Sequence, residues 1–271
     1  MSHRIFRAVG ALIVLLCSGL GSVLAESLPE RADLTARIGS APVMVEVYEP
    51  HLSTENAPVK RSYLAYRFDI VADLIFGPLW RDGAEAVELR ALDGYVSRIP
   101  IADFMTHKAH LAVGLSDGSP FTVDNLQQNE TDIALGPYYL IWENIDDAEI
   151  LSRGASVWPY QVADILRVTT SDEVLRPAGL DPALKPAVEL VRRHCLNCHK
   201  LNGFGGNKVP GDLAALARAL DNETFRARVL DPQSVQSNST MPALSRELSD
   251  NERQRIVNLL RAYLLEMPGE N

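Results

Sequence analysis

The chain has 271 residues, 46% of them hydrophobic, so it is long enough to bury a substantial core and to form two domains. Its net charge is −9, and this acidic balance disfavours nucleic-acid binding. The acidity is uneven, because residues 26–183 carry 12 basic and 25 acidic side chains, whereas residues 184–271 carry 12 and 10. We expect the acidic surface to serve solubility more than docking.

Residues 1–25 predict a secretory signal peptide. Arg4 and Arg7 precede a short apolar run that ends in Val23-Leu24-Ala25, with a small residue at the expected cleavage point. The run is short and interrupted by glycine and serine, so an uncleaved membrane anchor is the lesser alternative. Cys17 is then discarded with the peptide. No other long apolar stretch follows, and we expect a mature chain without a membrane span.

Residues 26–172 predict an α+β domain in which strands outnumber helices. Residues 26–40 form a polar lead-in, and residues 116–133 predict a surface loop. Apolar patterns predict strands at 43–48, 62–67, 110–115, 138–142 and 158–168. A helix is predicted at 68–76, and a shorter one begins at Pro100. The turn signal Asp93-Gly94 predicts a hairpin between strands at 86–92 and 95–99.

Three segments of this domain carry a family resemblance: residues 92–100 (LDGYVSRIP), 136–142 (GPYYLIW) and 158–162 (WPYQV). They resemble sulfite-oxidase-type molybdopterin-binding domains, and the resemblance implies a mixed sheet over about residues 41–170. Family members that act as molybdenum enzymes supply a cysteine thiolate to the metal. No cysteine lies between Cys17 and Cys195, so the resemblance implies a non-catalytic domain used for docking or binding.

The histidines of this domain offer a second, weaker hypothesis. His107 and His110 lie three residues apart with Asp103 nearby, a spacing that could bind a metal. Ordinary surface or partly buried histidines are far commoner than metal ligands. We therefore expect these histidines, and His51, to be structural.

The sequence Cys195-Leu196-Asn197-Cys198-His199 predicts covalent attachment of one c-type haem. Each thiol adds to a vinyl group of the porphyrin, and His199 ligates the iron. Zinc would need further cysteine or histidine ligands, and none follows His199. Because the same chain carries an export signal, we predict a bacterial periplasmic location.

Residues 173–183 contain Pro177, Gly179 and Asp181-Pro182, which predict a linker. Asp181 is a suitable N-cap for a helix that begins near Pro182 and runs into Cys195. A second domain then occupies residues 184–271. Its last helix is predicted from the capping pair Ser249 and Glu252 and from an apolar stripe over residues 256–264.

The second domain resembles class I cytochromes c over about residues 182–267. The resemblance rests on the haem motif, on the glycine-rich segment 203–213 and on Thr240-Met241-Pro242. It implies an all-α fold in which the last helix crosses the first. It also implies that Pro210 offers its carbonyl to the free nitrogen of His199 and that Met241 is the distal iron ligand. The rival methionine, Met267, is expected in a surface tail.

These observations predict a mono-haem electron carrier whose His199 and Met241 leave no open coordination position. Its haem edge, near Cys195 and Cys198, would meet a periplasmic redox protein or oxidoreductase in a transient encounter. One alternative is a haem-containing subunit or fusion of an oxidoreductase, whose N-terminal domain binds a substrate or cofactor. Another is a haem sensor in which a small ligand displaces Met241.

Overall fold

A computed structural model describes residues 26–54, 57–169, 172–244 and 248–268. The predicted signal peptide lies outside the described residues. The structure contains two hydrophobic clusters of buried side chains. The first extends from Leu34 to Ile165, and the second from Leu175 to Met267.

The N-terminal region combines strands with short helices. Its strands are β1 (Glu26–Ser27), β2 (Val43–Tyr48), β3 (Lys60–Arg67), β4 (Ala86–Ala91), β5 (Val96–Pro100), β6 (Ala109–Leu115), β7 (Thr122–Asn125), β8 (Glu130–Ala134), β9 (Tyr139–Trp142) and β10 (Val162–Val168). Its helices are α1 (Arg31–Ile38), α2 (Phe68–Phe76), α3 (Ile101–Thr106) and α4 (Ala148–Ser152). The predicted helix at 68–76 and the predicted hairpin at Asp93-Gly94 are confirmed.

These strands form separate antiparallel sheets. One has the order β1-β10-β4-β5, another β2-β3-β6-β9, and β7 pairs with β8. The prediction of a mixed sheet is wrong, because every strand pair described in this region is antiparallel. Side chains from both larger sheets and all four helices meet in the first cluster, which includes Trp80, Trp142 and Trp158.

Two elements of this region depart from the sequence prediction. The polar lead-in contains α1, which buries Leu34 completely and ends at Gly39 in the left-handed conformation. The predicted surface loop contains the β7–β8 hairpin, in which Val123 is buried. Each element buries few apolar side chains, Leu34 in α1 and Val123 in β7, so their sequences carry little hydrophobic periodicity.

The C-terminal region contains α5 (Lys185–His194), β11 (Lys200–Leu201), β12 (Phe204–Gly205), α6 (Leu213–Arg218), α7 (Asn222–Leu230), α8 (Pro232–Val235) and α9 (Asp250–Glu266). The expected contact between first and last helix is present, because α5 packs against α9. Ser249 caps α9 by accepting a hydrogen bond from the Glu252 amide, as predicted. Met267 is only 1% exposed, so its placement in a surface tail is wrong.

The prediction of a separate all-α C-terminal domain is also wrong. Asn202 and Gly203 adopt positive φ angles of 49° and 78°, and this two-residue turn pairs β11 with β12. Backbone hydrogen bonds also join the haem-motif segment to the N-terminal hairpin, so this region is not separate. The chain is therefore a mixed α/β protein with several sheets.

The segment predicted as a linker contributes to the C-terminal core. Leu175 is fully buried, and its carbonyl accepts a 2.6 Å hydrogen bond from the Tyr263 hydroxyl. Asp172, just before this segment, accepts a 3.0 Å hydrogen bond from Arg192 on α5. These contacts fix the start of the C-terminal region to its first and last long helices. Within the described ranges, no helix combines the length and apolar character needed to span a membrane.

Candidate functional site

The predicted haem-attachment segment Cys195–His199 forms a compact turn directly after helix α5. The Cys195 amide still donates to Val191 O at 2.9 Å, and the His199 amide donates to Cys195 O at 2.9 Å. A further bond of 3.2 Å joins the Cys198 amide to Cys195 O. The two thiols and the imidazole of the predicted site therefore emerge from consecutive turns at the end of one helix.

The two cysteines are free thiols in a half-buried environment. Burial, with a smaller contribution from Cys198, raises the pKa of Cys195 to about 12. Burial likewise raises the pKa of Cys198 to about 11. Both side chains are thus protonated at neutral pH, the less nucleophilic state of a cysteine.

A glycine loop wraps around the motif backbone. The Gly206 amide donates to Leu196 O at 2.8 Å, and the Val209 amide donates to Cys198 O at 3.1 Å. A side chain at Gly205 or Gly206 would collide with backbone carbonyls of the motif. Only glycine permits this close approach of the loop to the motif backbone.

His199 has the chemical state that an iron ligand requires. Burial lowers its pKa, so the imidazole is neutral near pH 7. Its Nδ1 atom is buried and has no hydrogen-bond partner among the described residues. Pro210 follows the glycine loop in an exposed position, and no described hydrogen bond joins it to His199. The proposed bond to the Pro210 carbonyl therefore stays a prediction.

Met241 lies between α8 and α9. Its side chain is half-buried, and its amide donates to Ser239 Oγ at 3.3 Å. Leu244 anchors the segment, since it is buried and its amide donates to Val229 O at 2.9 Å. No described contact joins Met241 to His199, so its role as a ligand is also a prediction. Core packing, in contrast, accounts for the buried Met267.

The alternative metal site in the N-terminal region does not form. His107 Nδ1 lies 2.5 Å from Asp147 Oδ2, whereas His110 Nε2 lies 2.9 Å from Glu143 Oε1. The two histidines thus contact different carboxylates, Asp147 and Glu143, and do not converge on one site. Within the described part of the chain, no group of three or more His, Cys, Asp or Glu side chains could hold a metal ion.

The N-terminal region contacts the haem motif directly, which the sequence analysis did not predict. The Val96 amide donates to Asn197 O at 2.8 Å, and the Asn207 amide donates to Gly94 O at 2.8 Å. Asn197, between the two cysteines, also donates a 2.6 Å hydrogen bond to the Tyr95 hydroxyl. No sequence signal marks these residues as partners, because the contact joins segments about one hundred positions apart.

A buried polar cluster lies within the N-terminal core. Glu49 is fully buried and accepts hydrogen bonds from the hydroxyls of Tyr63 and Tyr139. His51 stacks edge-on against Tyr160, with ring centroids 5.3 Å apart. Burial lowers the pKa of His51. The cluster is inaccessible to a ligand, and its paired groups stabilise the core.

Comparison with known proteins found no matching family model, curated protein or solved structure. The function of the chain must therefore be argued from its own residues and their geometry.

Proposed function

We propose that this chain binds one haem c through thioether bonds from Cys195 and Cys198 and acts as a periplasmic electron-transfer protein. His199 and Met241 would ligate the iron. The signal peptide predicted at residues 1–25 would direct the chain to the periplasm, where a redox protein or oxidoreductase is the partner.

The geometry of the motif carries this proposal. Two protonated thiols and a neutral imidazole follow the end of one helix, and a glycine loop packs closely against the backbone that carries them. His199 also has a buried nitrogen without a hydrogen-bond partner among the described residues. These features fit covalent haem better than a zinc site, because no metal-binding group forms around the cysteines in the described ranges.

The haem would supply a one-electron couple between Fe(III) and Fe(II). The chain's own residues decide how that couple is used. A thioether from Met241 favours Fe(II), because it is a soft ligand and a weak electron donor. If His199 and Met241 both ligate the iron, they would leave no coordination position for a substrate, and the site would then suit outer-sphere electron exchange.

One observation favours a second candidate function. Asn197 is held by the N-terminal region through its side chain and its carbonyl. Such a contact suits a fused oxidoreductase, in which the N-terminal region binds a substrate or cofactor and exchanges electrons with the haem. Metal analysis and cofactor extraction of the purified protein discriminate the two functions, since a bound redox group in the N-terminal region supports only the fusion.

Replacement of Met241 tests the proposed ligand set. In Met241→Ala, we expect loss of the spectroscopic signature of methionine ligation and a lower midpoint potential, while the haem stays covalently bound. Met267→Leu is the matched control, because it changes a buried methionine in the same core and should leave the spectrum unchanged. An unaltered spectrum in Met241→Ala, or a lost signature in Met267→Leu, would contradict the assignment.

Carbon monoxide binding separates the carrier from a sensor. The carrier should bind carbon monoxide weakly in the reduced state, because Met241 occupies the position. Met241→Ala should bind it readily. Tight binding by the unmodified protein would favour the sensor.

A further inference from the structure

We propose that the hairpin turn Asp93–Val96, together with Ser156, is a built-in cover over the cysteine side of the haem-attachment segment. External reagents and redox partners would reach this side only when the cover opens. The functional meaning of the cover rests on the proposed haem function. The cover itself is a property of the polypeptide and can be tested without haem.

Backbone hydrogen bonds hold the cover along its length. Val96 at the start of β5 donates to Asn197 O, and Gly94 O accepts from the Asn207 amide, both at 2.8 Å. These bonds extend the edge of the β1-β10-β4-β5 sheet onto the motif and its glycine loop. The cover thus binds the chain on both sides of Cys198, through Asn197 before it and Asn207 after it.

Side chains add to these backbone contacts at Asn197, which lies between the two cysteines in the sequence. The Asn197 side-chain amide donates to the Tyr95 hydroxyl at 2.6 Å and approaches Ser156 O at 3.3 Å. The Tyr95 hydroxyl also lies 3.3 Å from Ser156 O. Burial raises the pKa of Tyr95, and the nearby Cys198 adds to this shift. Through its hydrogen bond with Asn197, Tyr95 lies against the residue that precedes Cys198.

An ion pair between Asp93 of the cover and Lys208 of the glycine loop stabilises the contact. Lys208 Nζ lies 2.9 Å from Asp93 Oδ2 and 3.9 Å from Glu130 Oε1. The Lys208 side chain is 18% exposed and that of Asp93 27%, so solvent screens this pair less than one on an open surface. Nearby, the Arg98 guanidinium lies 4.1 Å from the centre of the Phe204 ring, which adds a cation–π contact.

Glycine at position 94 makes the close approach possible. Gly94 has a φ of +88°, and a Cβ atom there would lie 2.8 Å from the Asn207 carbonyl carbon. Gly83 offers a matched position, because its φ is +68° but no atom lies within 4 Å of a Cβ built on it. Alanine should cause a similar backbone strain at either position, because both glycines have a positive φ angle. Only at position 94 would the added methyl group also push the cover away from the glycine loop.

The cover changes the expected route of electron exchange. The sequence analysis expected the edge near Cys195 and Cys198 to meet a partner, but the chain's own hairpin lies against this segment. A partner must therefore approach from another side, or the cover must move away.

Thiol alkylation of the haem-free full-length chain tests the cover. N-ethylmaleimide modification of Cys195 and Cys198 is followed by peptide mass spectrometry, which separates them from Cys17. We expect Gly94→Ala to increase the rate at Cys198 about tenfold relative to Gly83→Ala, equivalent to about 1.4 kcal/mol of opening free energy. Equal rates in Gly94→Ala, Gly83→Ala and the unmodified chain would overturn the proposal.

A second pair of variants covers the case in which Gly94→Ala does not fold. Asp93→Asn removes the charge that pairs with Lys208, and asparagine can still accept the turn hydrogen bond from the Tyr95 amide. Asp117→Asn is its control, because Asp117 accepts a similar turn bond from the Ser119 amide at an exposed site. We expect Asp93→Asn to alkylate about two- to threefold faster than Asp117→Asn at low salt, with a smaller difference at high salt. No difference would contradict the ion pair's role in the cover.

The haem-loaded chain gives an independent readout. Oxidation of the reduced protein by ferricyanide should be faster in Gly94→Ala than in Gly83→Ala. If no haem attaches, the proposed function fails and the alkylation result still decides the cover. If haem attaches but alkylation and oxidation rates match the control, the cover alone fails.

Discussion

The two regions of the molecule bury different side chains and use them differently. The N-terminal cluster contains all three tryptophans and buries a carboxylate that two tyrosines satisfy. The C-terminal cluster is mainly aliphatic, with Phe225 and Tyr263 as its buried aromatic residues. The half-buried cysteines and Met241 lie on loops at its edge. The comparison shows that the N-terminal core is closed by its own side chains, whereas the C-terminal region would gain further burial if the proposed haem binds.

Replacement of Cys195 and Cys198 should have the largest effect on the difference in stability between the two regions. If the proposed haem binds, we expect Cys195→Ala with Cys198→Ala to abolish its covalent attachment and to destabilise the C-terminal helices, because the haem would add to their buried surface. The three tryptophans report on the N-terminal core, so their fluorescence transition in urea should change little. Far-UV circular dichroism at the same urea concentrations follows the helices. An equal shift of both transitions would contradict the proposed division.

Truncation of a side chain in the N-terminal core should destabilise the N-terminal region and leave haem attachment unchanged. Trp142 is fully buried and donates a 2.9 Å hydrogen bond to Val157 O. We expect Trp142→Ala to reduce the free energy of unfolding of this region by about 3–5 kcal/mol, with covalent haem retained. Met105→Ala is the control, because Met105 is 70% exposed and should change stability by less than about 0.5 kcal/mol. Loss of haem attachment in folded Trp142→Ala would show that the regions are more tightly coupled than their cores indicate.

The smallest expected effect is on the pH dependence of the free energy of unfolding, to which the buried His51 contributes. Burial lowers its pKa, although Glu49 and the Trp158 carbonyl oppose this effect. The unfolded chain therefore binds a proton near pH 6.5 that the folded chain does not bind, so stability falls as pH decreases below about 6.5. We expect His51→Gln to flatten the decline in the free energy of unfolding between pH 7 and pH 5. A slope equal to that of the unmodified protein would contradict this assignment.

Local signals predicted those elements whose burial follows a simple period. Helix α2 begins and ends at the predicted residues, because Phe68, Val71 and Ala72 share one buried face and Gly77 follows them. The hairpin between β4 and β5 also formed at its Asp-Gly turn. The haem-attachment site stays a prediction, which the sequence allows because its chemistry depends on residues adjacent in the sequence.

Tertiary contacts decided the features that the sequence analysis missed. The β7–β8 hairpin is polar, and it is fixed by distant partners such as Arg61, which donates to Thr122 O at 2.8 Å. Asn202-Gly203 is a standard hairpin signal, yet the resemblance to an all-α family directed the prediction away from a strand pair. The contact of Tyr95 with Asn197 has no local signature, because it depends on how the two regions meet.

Covalent haem attachment is the central claim, and intact-mass spectrometry tests it most directly. The chain would be produced with its signal peptide in a bacterium that assembles c-type haem, then denatured and extracted to remove any group bound without covalent bonds. We predict that the mature protein gains the mass of one haem and that Cys195→Ala with Cys198→Ala does not. A mature protein whose mass equals that of the bare polypeptide, with both cysteines still free, would contradict the account.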